Sequence, residues 1–435
     1  MKTTFSSLQW MAFMFASSIV APIAVAGLFG LDAAATSSFV QRNMFVMGVA
    51  GILQAYFGHR LPINDGPAGI WWGIFTVYAG LSGTLFSSEL ETLQALQGAL
   101  IASGVIFILL SVFGLIKPLS KLFTPAVTGV YLLLLVLQLS KSFVIGMLGI
   151  GYRQDSIDGK VAMLCFLIVA FTILLSISTK PLLRQYAILL SLAFGWTLFG
   201  VFGLTATIPL HSGNMMSFPK VLVFGGPIFD GGLIVASLFV TLLLITNMIA
   251  SIRIVEQVVQ GYGKTTAKNR ENYAGMMGGI SQIVAGLFST MGPVPLSGAG
   301  GVIQTTKTVS RLPFVLGCCL VILVSLFPAM MNFLSSLPTP VGYSVSFVVF
   351  AGMIGLALQD IQRSDNPNLK LSIGISLFIG VGCMFVPVDS FVGLSPIVTA
   401  IFSNGLIVGT IAIIIGQQLV SYLDRSSQHE KHKDK

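Results

Sequence analysis

Two short stretches carry the residue types from which chemistry could be built. Pro62-Ile63-Asn64-Asp65-Gly66-Pro67-Ala68-Gly69 and Pro295-Leu296-Ser297-Gly298-Ala299-Gly300-Gly301 each join a proline, a polar step and paired glycines inside an apolar chain. Hydrocarbon cannot solvate peptide N–H and C=O groups, so non-helical backbone at membrane depth survives only buried in protein or lining a polar cavity. A half-helix starting near Gly298 would aim unpaired N–H groups and the positive end of its dipole at a ligand, with glycines permitting close approach. The competing reading is a pair of kinks that let helices pack through small residues. Asp65 is the acid beside such a break, and an ionisable group at that depth is a candidate for ion coupling; pairing with Arg60 at an inner mouth is its alternative. Asn247 lies among Leu, Ile and Met, where an unpaired amide costs about 1–3 kcal/mol. It therefore requires a partner, either a ligand or another helix.

Other chemistries find no support. There is no HExxH, GxSxG or metal-ligand cluster, so neither a catalytic set nor a cofactor is expected. The stretch GYGKTT at 261–266 is similar to a phosphate loop, but that pattern needs glycine where Val258 stands. Cys165, Cys318, Cys319 and Cys383 all sit in apolar segments without metal or disulfide spacing.

The elements that must position these residues follow from composition. Of 435 residues, 54% are hydrophobic and 9% charged, which implies an all-α polytopic membrane protein. A net charge of +8 is spread singly over short loops, which argues against nucleic acid as a partner. Crossing a core about 30 Å thick takes about 20 apolar residues. Hydropathy and breakers predict fourteen spans, near 8–29, 43–58, 62–80, 92–115, 124–140, 160–178, 186–203, 231–253, 273–290, 298–310, 313–333, 341–358, 370–387 and 394–423. The first apolar run is too long for a signal peptide and is read as a retained helix. With both termini cytoplasmic, the outer side holds only Arg42, Lys141, Arg153, Lys160 and Lys220 of the 23 Lys and Arg, as the positive-inside rule requires. This predicts one membrane domain over 1–435 in the cytoplasmic membrane, with 427–435 as a cytoplasmic tail.

The two broken stretches fall in spans 3 and 10. Thr124-Pro125 and Thr339-Pro340 open spans 5 and 12. Each pair is seven spans apart, and an odd offset turns the second half upside down, a 7+7 inverted repeat of about 1–204 and 228–423.

These residues resemble the nucleobase-ascorbate transporter family, to which uracil and xanthine permeases belong. The opening helix SLQWMAFMFASSIVAP, the Pro-led starts FTPAVTG and LPTPVG, and the signature region 298–307 carry the resemblance, with Gly301, Thr306 and Lys307 matching the signature. It implies a core domain of spans 1–4 and 8–11 moving against a gate of spans 5–7 and 12–14. The usual carboxylates of span 8 and the signature's start are replaced by Asn247 and by Gly298-Ala299, with Ser251 one turn after Asn247. The family position assigns Asn247 to the edge of a base, which an amide can both donate to and accept from. Ser251 would join it, or bond its own helix. Ser17 aligns with a small pocket-lining position. Gly69, Ile70 and Trp71 follow the first break, where an indole would stack on a flat ring or, alternatively, anchor at the bilayer interface. Ser297, Gly298, Ala299 and Gln304 surround the second half-helix, Gln304 with the option of bracing span 8. Arg253 and Glu256 are expected as solvated charges past the inner end of span 8. The function so implied is uptake of a nucleobase, a purine such as xanthine, guanine or hypoxanthine ahead of uracil, with the proton as coupling ion and a homodimer as the assembly. An anion carrier of the same architecture and a membrane-embedded enzyme are the rivals.

Overall fold

The computed structural model describes residues 2–205, 215–267, 269–363, 366–391, 394 and 396–433, most of them in helices. The N-terminal half runs α1 (Lys2–Ser18), α2 (Val20–Leu28), α3 (Ala33–Tyr56), strand β1 (Asp65–Pro67), α4 (Gly69–Gly80), α5 (Glu89–Val112), α6 (Ile116–Ser120), α7 (Pro125–Met147), α8 (Gly159–Ser176), α9 (Pro181–Gln185) and α10 (Ala187–Val201). The C-terminal half runs α11 (Gly231–Gly261), α12 (Glu271–Leu287), strand β2 (Pro293–Pro295), α13 (Ala299–Thr306), α14 (Arg311–Ser325), α15 (Pro328–Ser335), α16 (Thr339–Gln362), α17 (Pro367–Met384), α18 (Pro396–Phe402) and α19 (Gly405–Lys433).

Local chemistry sets the helix starts. Asp32, Ser88, Asp158 and Asp230 each accept a hydrogen bond from the first turn of α3, α5, α8 and α11, the orphan amides that a cap satisfies. Proline opens α7, α15, α16 and α17, where its missing N–H costs nothing. Among the described residues, eight helical stretches are long and apolar enough to cross a bilayer, nine if α14 and α15, bent by 92°, form one span. The chain is a multi-pass membrane protein.

Several boundaries differ from the sequence reading. The span expected at 43–58 begins at Ala33, because the Asp32 cap starts the helix there. As a result Arg42, expected on the outer side, is 1% exposed within α3. Its guanidinium donates to Ser289 O at 3.3 Å and Ser38 Oγ at 2.8 Å and lies over the rings of Phe39 and Phe224. The helix expected to end at 253 continues to Gly261, so Arg253 and Glu256 stand on α11 rather than beyond it. The last helix runs on through most of the expected tail.

Helices α1–α5 pack with α11–α15, and α7–α10 pack with α16–α19. The first group is drawn close by small residues. A Cβ on Gly104 would lie 2.5 Å from Gly279 O, and one on Gly279 would lie 2.7 Å from Gly104 O, so α5 and α12 touch backbone to backbone. The groups meet where α2 packs on α16, α4 on α7, α1 on α10 and α11 on α18.

Candidate functional site

The Pro-Gly stretches meet. β1 and β2 pair antiparallel, with Asp65 opposite Pro295, Gly66 opposite Val294 and Pro67 opposite Pro293. The ladder extends by Ala68 N–H to Gly292 O and Leu296 N–H to Asn64 O, each 2.9 Å. Proline cannot serve in a central strand, and a sheet of two strands suits it. The register sets the start of α13 beside Asn64 and Asp65, and the start of α4 beside Gly292 and Pro293. The positive ends of two helix dipoles therefore flank one crossing. At α4, the amides of Gly69, Ile70 and Trp71 have no backbone acceptor among the described residues. At α13 a tightened first turn bonds Ala299, Gly300 and Gly301 to Leu296, Ser297 and Gly298. Among the described residues, the amides of Ser297 and Gly298 have no backbone acceptor there, a narrower set than the sequence suggested.

Alternation along the extended chain sends Asn64 and Asp65 to opposite faces. Asn64 shares the face of Gly66, where Ser18 and Leu296 approach, and its Nδ2 donates to Ser17 Oγ at 3.4 Å. Ser17 and Ser18 sit at the interruption between α1 and α2. Asp65 is 2% exposed and lies near Cys318 of α14. It makes no ion pair with Arg60, whose Nε bonds Tyr56 O at 3.2 Å instead; the described ion pairs are Arg153–Asp158 and Arg363–Asp360. Among the described residues, Asp65 Oδ2, Asn64 Oδ1 and Ser18 Oγ are buried without a hydrogen-bond partner. Three such atoms within one short crossing mark polar demand that the protein's own groups leave unmet.

α11 packs on β2, α13 and α4. Its Ile254, Val255 and Val258 face Gly300. Asn247 lies two turns earlier on α11, about 10 Å along the helix axis from Ile254 at 1.5 Å per residue. Its side chain is half-buried, and Ser251 donates to its Oδ1 at 3.4 Å, as the one-turn spacing predicts. Ser297, Gly298, Gly301 and Gln304 form an exposed face on α13, whereas Ala299 is fully buried. Half-buried Phe13 of α1 stands over this face, 3.2 Å from where a Gly298 Cβ would be. Gln304 lies near the far end of α11, where the Tyr262 hydroxyl donates to its carbonyl at 3.2 Å.

The first half-helix is placed differently. Trp71 is fully buried and donates from Nε1 to Gln282 Oε1 at 2.9 Å, while Gln282 Nε2 donates to Pro293 O at 2.7 Å. The indole thus braces the crossing and does not line an open surface. Ile70 is likewise fully buried. Gly69 turns toward Leu135 and Phe350, on α7 and α16. Sequence reasoning missed Asn64, Ser18, Phe13 and Gln282. Asn64 and Gln282 carried a signal, since each is an amide set in apolar surroundings that must find a partner.

A cavity of about 220 Å³ lies elsewhere, between α2, α3, α15 and the start of α16, with Tyr152 on its wall. The crossing does not line it, and drug-sized sites run to about 300–1,000 Å³. Four of its five hydroxyls are spent on nearby backbone: Thr36 on Leu31 O, Tyr152 on Leu204 O, Ser335 on Asn332 O and Ser336 on Phe333 O.

A family model of the xanthine and uracil permeases, described as "Permease family", matches residues 1–389. The chain belongs to the nucleobase-ascorbate transporter family. Within it, the "Putative purine permease YwdJ" of Bacillus subtilis (strain 168) is 46% identical over 433 residues, spanning 99% of this chain and 98% of that protein. The xanthine permease XanP of Escherichia coli (strain K12) is 26% identical over 404 residues, 88% of this chain and 84% of its own. Such relatives are named as permeases, not enzymes. In fold, the chain is similar to the transmembrane domain of the cyanobacterium bicarbonate transporter BicA, with TM-score 0.59 and 14% identity over 95% of this chain and 96% of that one. The family member described here is a nucleobase permease.

Proposed function

We propose that this permease takes up a purine, with xanthine, guanine and hypoxanthine ahead of uracil, in symport with protons across the cytoplasmic membrane. The observation that carries the reading is the β1–β2 crossing, where buried polar atoms without partners meet two helix starts and an exposed face of α13. Asn247 would read the polar edge of the base, held in orientation by Ser251. The amides of Ser297 and Gly298 would donate to its carbonyl oxygens, with buried Ala299 seating the helix and Gly301 leaving its outer side open, and Phe13 would cover the ring. Ser17 acts through Asn64. Gln304 would meet the base on its way along α13. Gly69, Ile70 and Trp71 serve as the wall behind the crossing. Asp65, on the opposite face of the same strand, would carry the coupling proton. Its protonation state is then transmitted to the site through the strand it shares with Asn64.

We assign the fourteen segments to fourteen spans in a 7+7 inverted repeat with both termini inside. The two helix groups become the core and the gate, and the core slides in elevator fashion. Weak polar contact between the groups supports sliding. Across that border Gln138 Nε2 donates to Gly73 O at 3.3 Å, and the Tyr186 hydroxyl approaches the Gln9 side chain. The cavity beside Tyr152 would be an outer vestibule, and a homodimer is the proposed assembly. The groups gathered at the crossing are amides, hydroxyls and one carboxyl, which suit a heterocycle better than an anion carrier's cargo. Uptake of labelled xanthine, guanine, hypoxanthine, uracil and urate into vesicles, with and without an imposed proton gradient, tests the reading. Purine accumulation that collapses with the gradient is expected; transport of none of these bases would overturn it.

A further inference from the structure

The end of α3 gathers positive charge that its own fold does not consume. Arg311 Nη1 donates to Ala55 O at 3.1 Å, Arg60 Nε to Tyr56 O at 3.2 Å, and Arg270 to Gly58 O at 2.9 Å and Phe57 O at 2.5 Å. Three guanidiniums thus converge on four successive carbonyls. They come from three helices: Arg60 follows α3, Arg270 precedes α12, and Arg311 opens α14. Arg60 and Asn269, the residue before Arg270, both hold left-handed backbone, with φ of 61° and 56°, a strained conformation for non-glycine residues that here fixes the arginines in place.

A helix C-terminus offers the equivalent of about half a negative charge, far short of balancing three cations. No carboxylate lies within ion-pair distance of any of them among the described residues. Arg270 feels the excess: burial, then Arg60, lower its pKa. Buried His59 beside them is held neutral, its pKa pushed down to about 3 by burial and by Arg270. Each guanidinium has five N–H donors, so among the described residues Arg60 keeps both Nη groups, Arg311 keeps Nε and Nη2, and Arg270, which lies over the Tyr273 ring at 4.3 Å, keeps Nη1. Tyr56, Phe57 and Tyr273 are exposed around the cluster at 50%, 58% and 54%. Such a ring of aromatics belongs at headgroup depth.

We propose that Arg60, Arg270 and Arg311 form a binding site for a phosphate group at the membrane surface. Guanidinium forks match phosphate oxygens in pairs, and basic pockets between membrane helices take anionic headgroups. Occupancy ties α3, α12 and α14 together and leaves the other helix group free.

The full-length protein in neutral detergent is titrated with phosphatidylglycerol, phosphatidylcholine and inorganic phosphate, with bound lipid read by native mass spectrometry and thermal unfolding followed in parallel. Retention of phosphatidylglycerol over phosphatidylcholine by about tenfold or more is expected for a lipid phosphate; displacement of that lipid by inorganic phosphate would identify a free phosphate as the occupant. The preference is lost in the Arg60→Gln/Arg311→Gln variant and reduced, though not abolished, in Arg60→Lys/Arg311→Lys, which preserves charge but not the fork. If the double Gln variant gives no folded protein, Arg311→Gln alone, leaving two caps in place, must weaken the preference. Equal retention of the two lipids with no response to phosphate overturns the site. So does an undiminished preference in the Gln variants.

Discussion

The two half-helices at the crossing share a layout but not an environment. α4 is sealed: Trp71 and Ile70 are fully buried, and the Gly69–Gly73 edge packs on Leu135. α13 is open: Ser297, Gly298, Gly301 and Gln304 are exposed along one side. The two segments have thus divided the labour, one forming a wall and the other an exposed face. The division begins with side chains. The α4 start carries bulky Ile70, Trp71 and Trp72, which bury themselves, whereas the α13 start carries Ser297, Gly298 and Gly301, whose small or absent side chains leave that side exposed.

Mutations can break or sharpen this contrast. The largest effect is expected for Asn247→Ala, which should reduce base uptake to background with normal membrane expression; an active variant would remove the amide from the site. Asp65→Asn should abolish gradient-driven accumulation while base exchange persists, and accumulation measured at two external pH values separates these. Gly292→Ala forces a Cβ into the Trp71 indole and the Gln282 amide, an overpacking that costs about 1–3 kcal/mol and should lower both the unfolding temperature and uptake. Gln282→Ala leaves the buried indole N–H unpaired, a loss of about 1–3 kcal/mol visible in thermal unfolding. The smallest effect belongs to the open half. No atom stands within 4 Å of a Cβ on Gly301, so Gly301→Ala should leave stability within about 0.5 kcal/mol. A large loss there would mean that the two halves are equally packed.

The meeting of the two Pro-Gly stretches was legible in residue types. Each was visible as polar, broken backbone in apolar surroundings, and the structure brings the two into one strand pair; Asp65 and the Asn247–Ser251 step stood out in the same way as candidates. The family too was legible, from the signature region and the Pro-led helix starts. Trp71 was not, because an aromatic after a break is compatible with a ligand platform, an interface anchor or a brace. Only the position of Gln282, 211 residues away, separates these. Arg42 was misplaced for a related reason. A lone arginine near a span's end looks solvated until Ser289 O and two rings are found around it. Asn64 was overlooked beside the more conspicuous Asp65, and strand alternation, which sets them on opposite faces, needs the strand to be known first.

Composition and breakers alone established that this chain lives in a membrane and where its helices yield, because hydrocarbon penalises every exposed peptide group and charge. Which broken segment would be sealed and which left open was decided by packing between residues hundreds of positions apart. That choice depends on shape and hydrogen-bond direction in three dimensions, which no local pattern encodes.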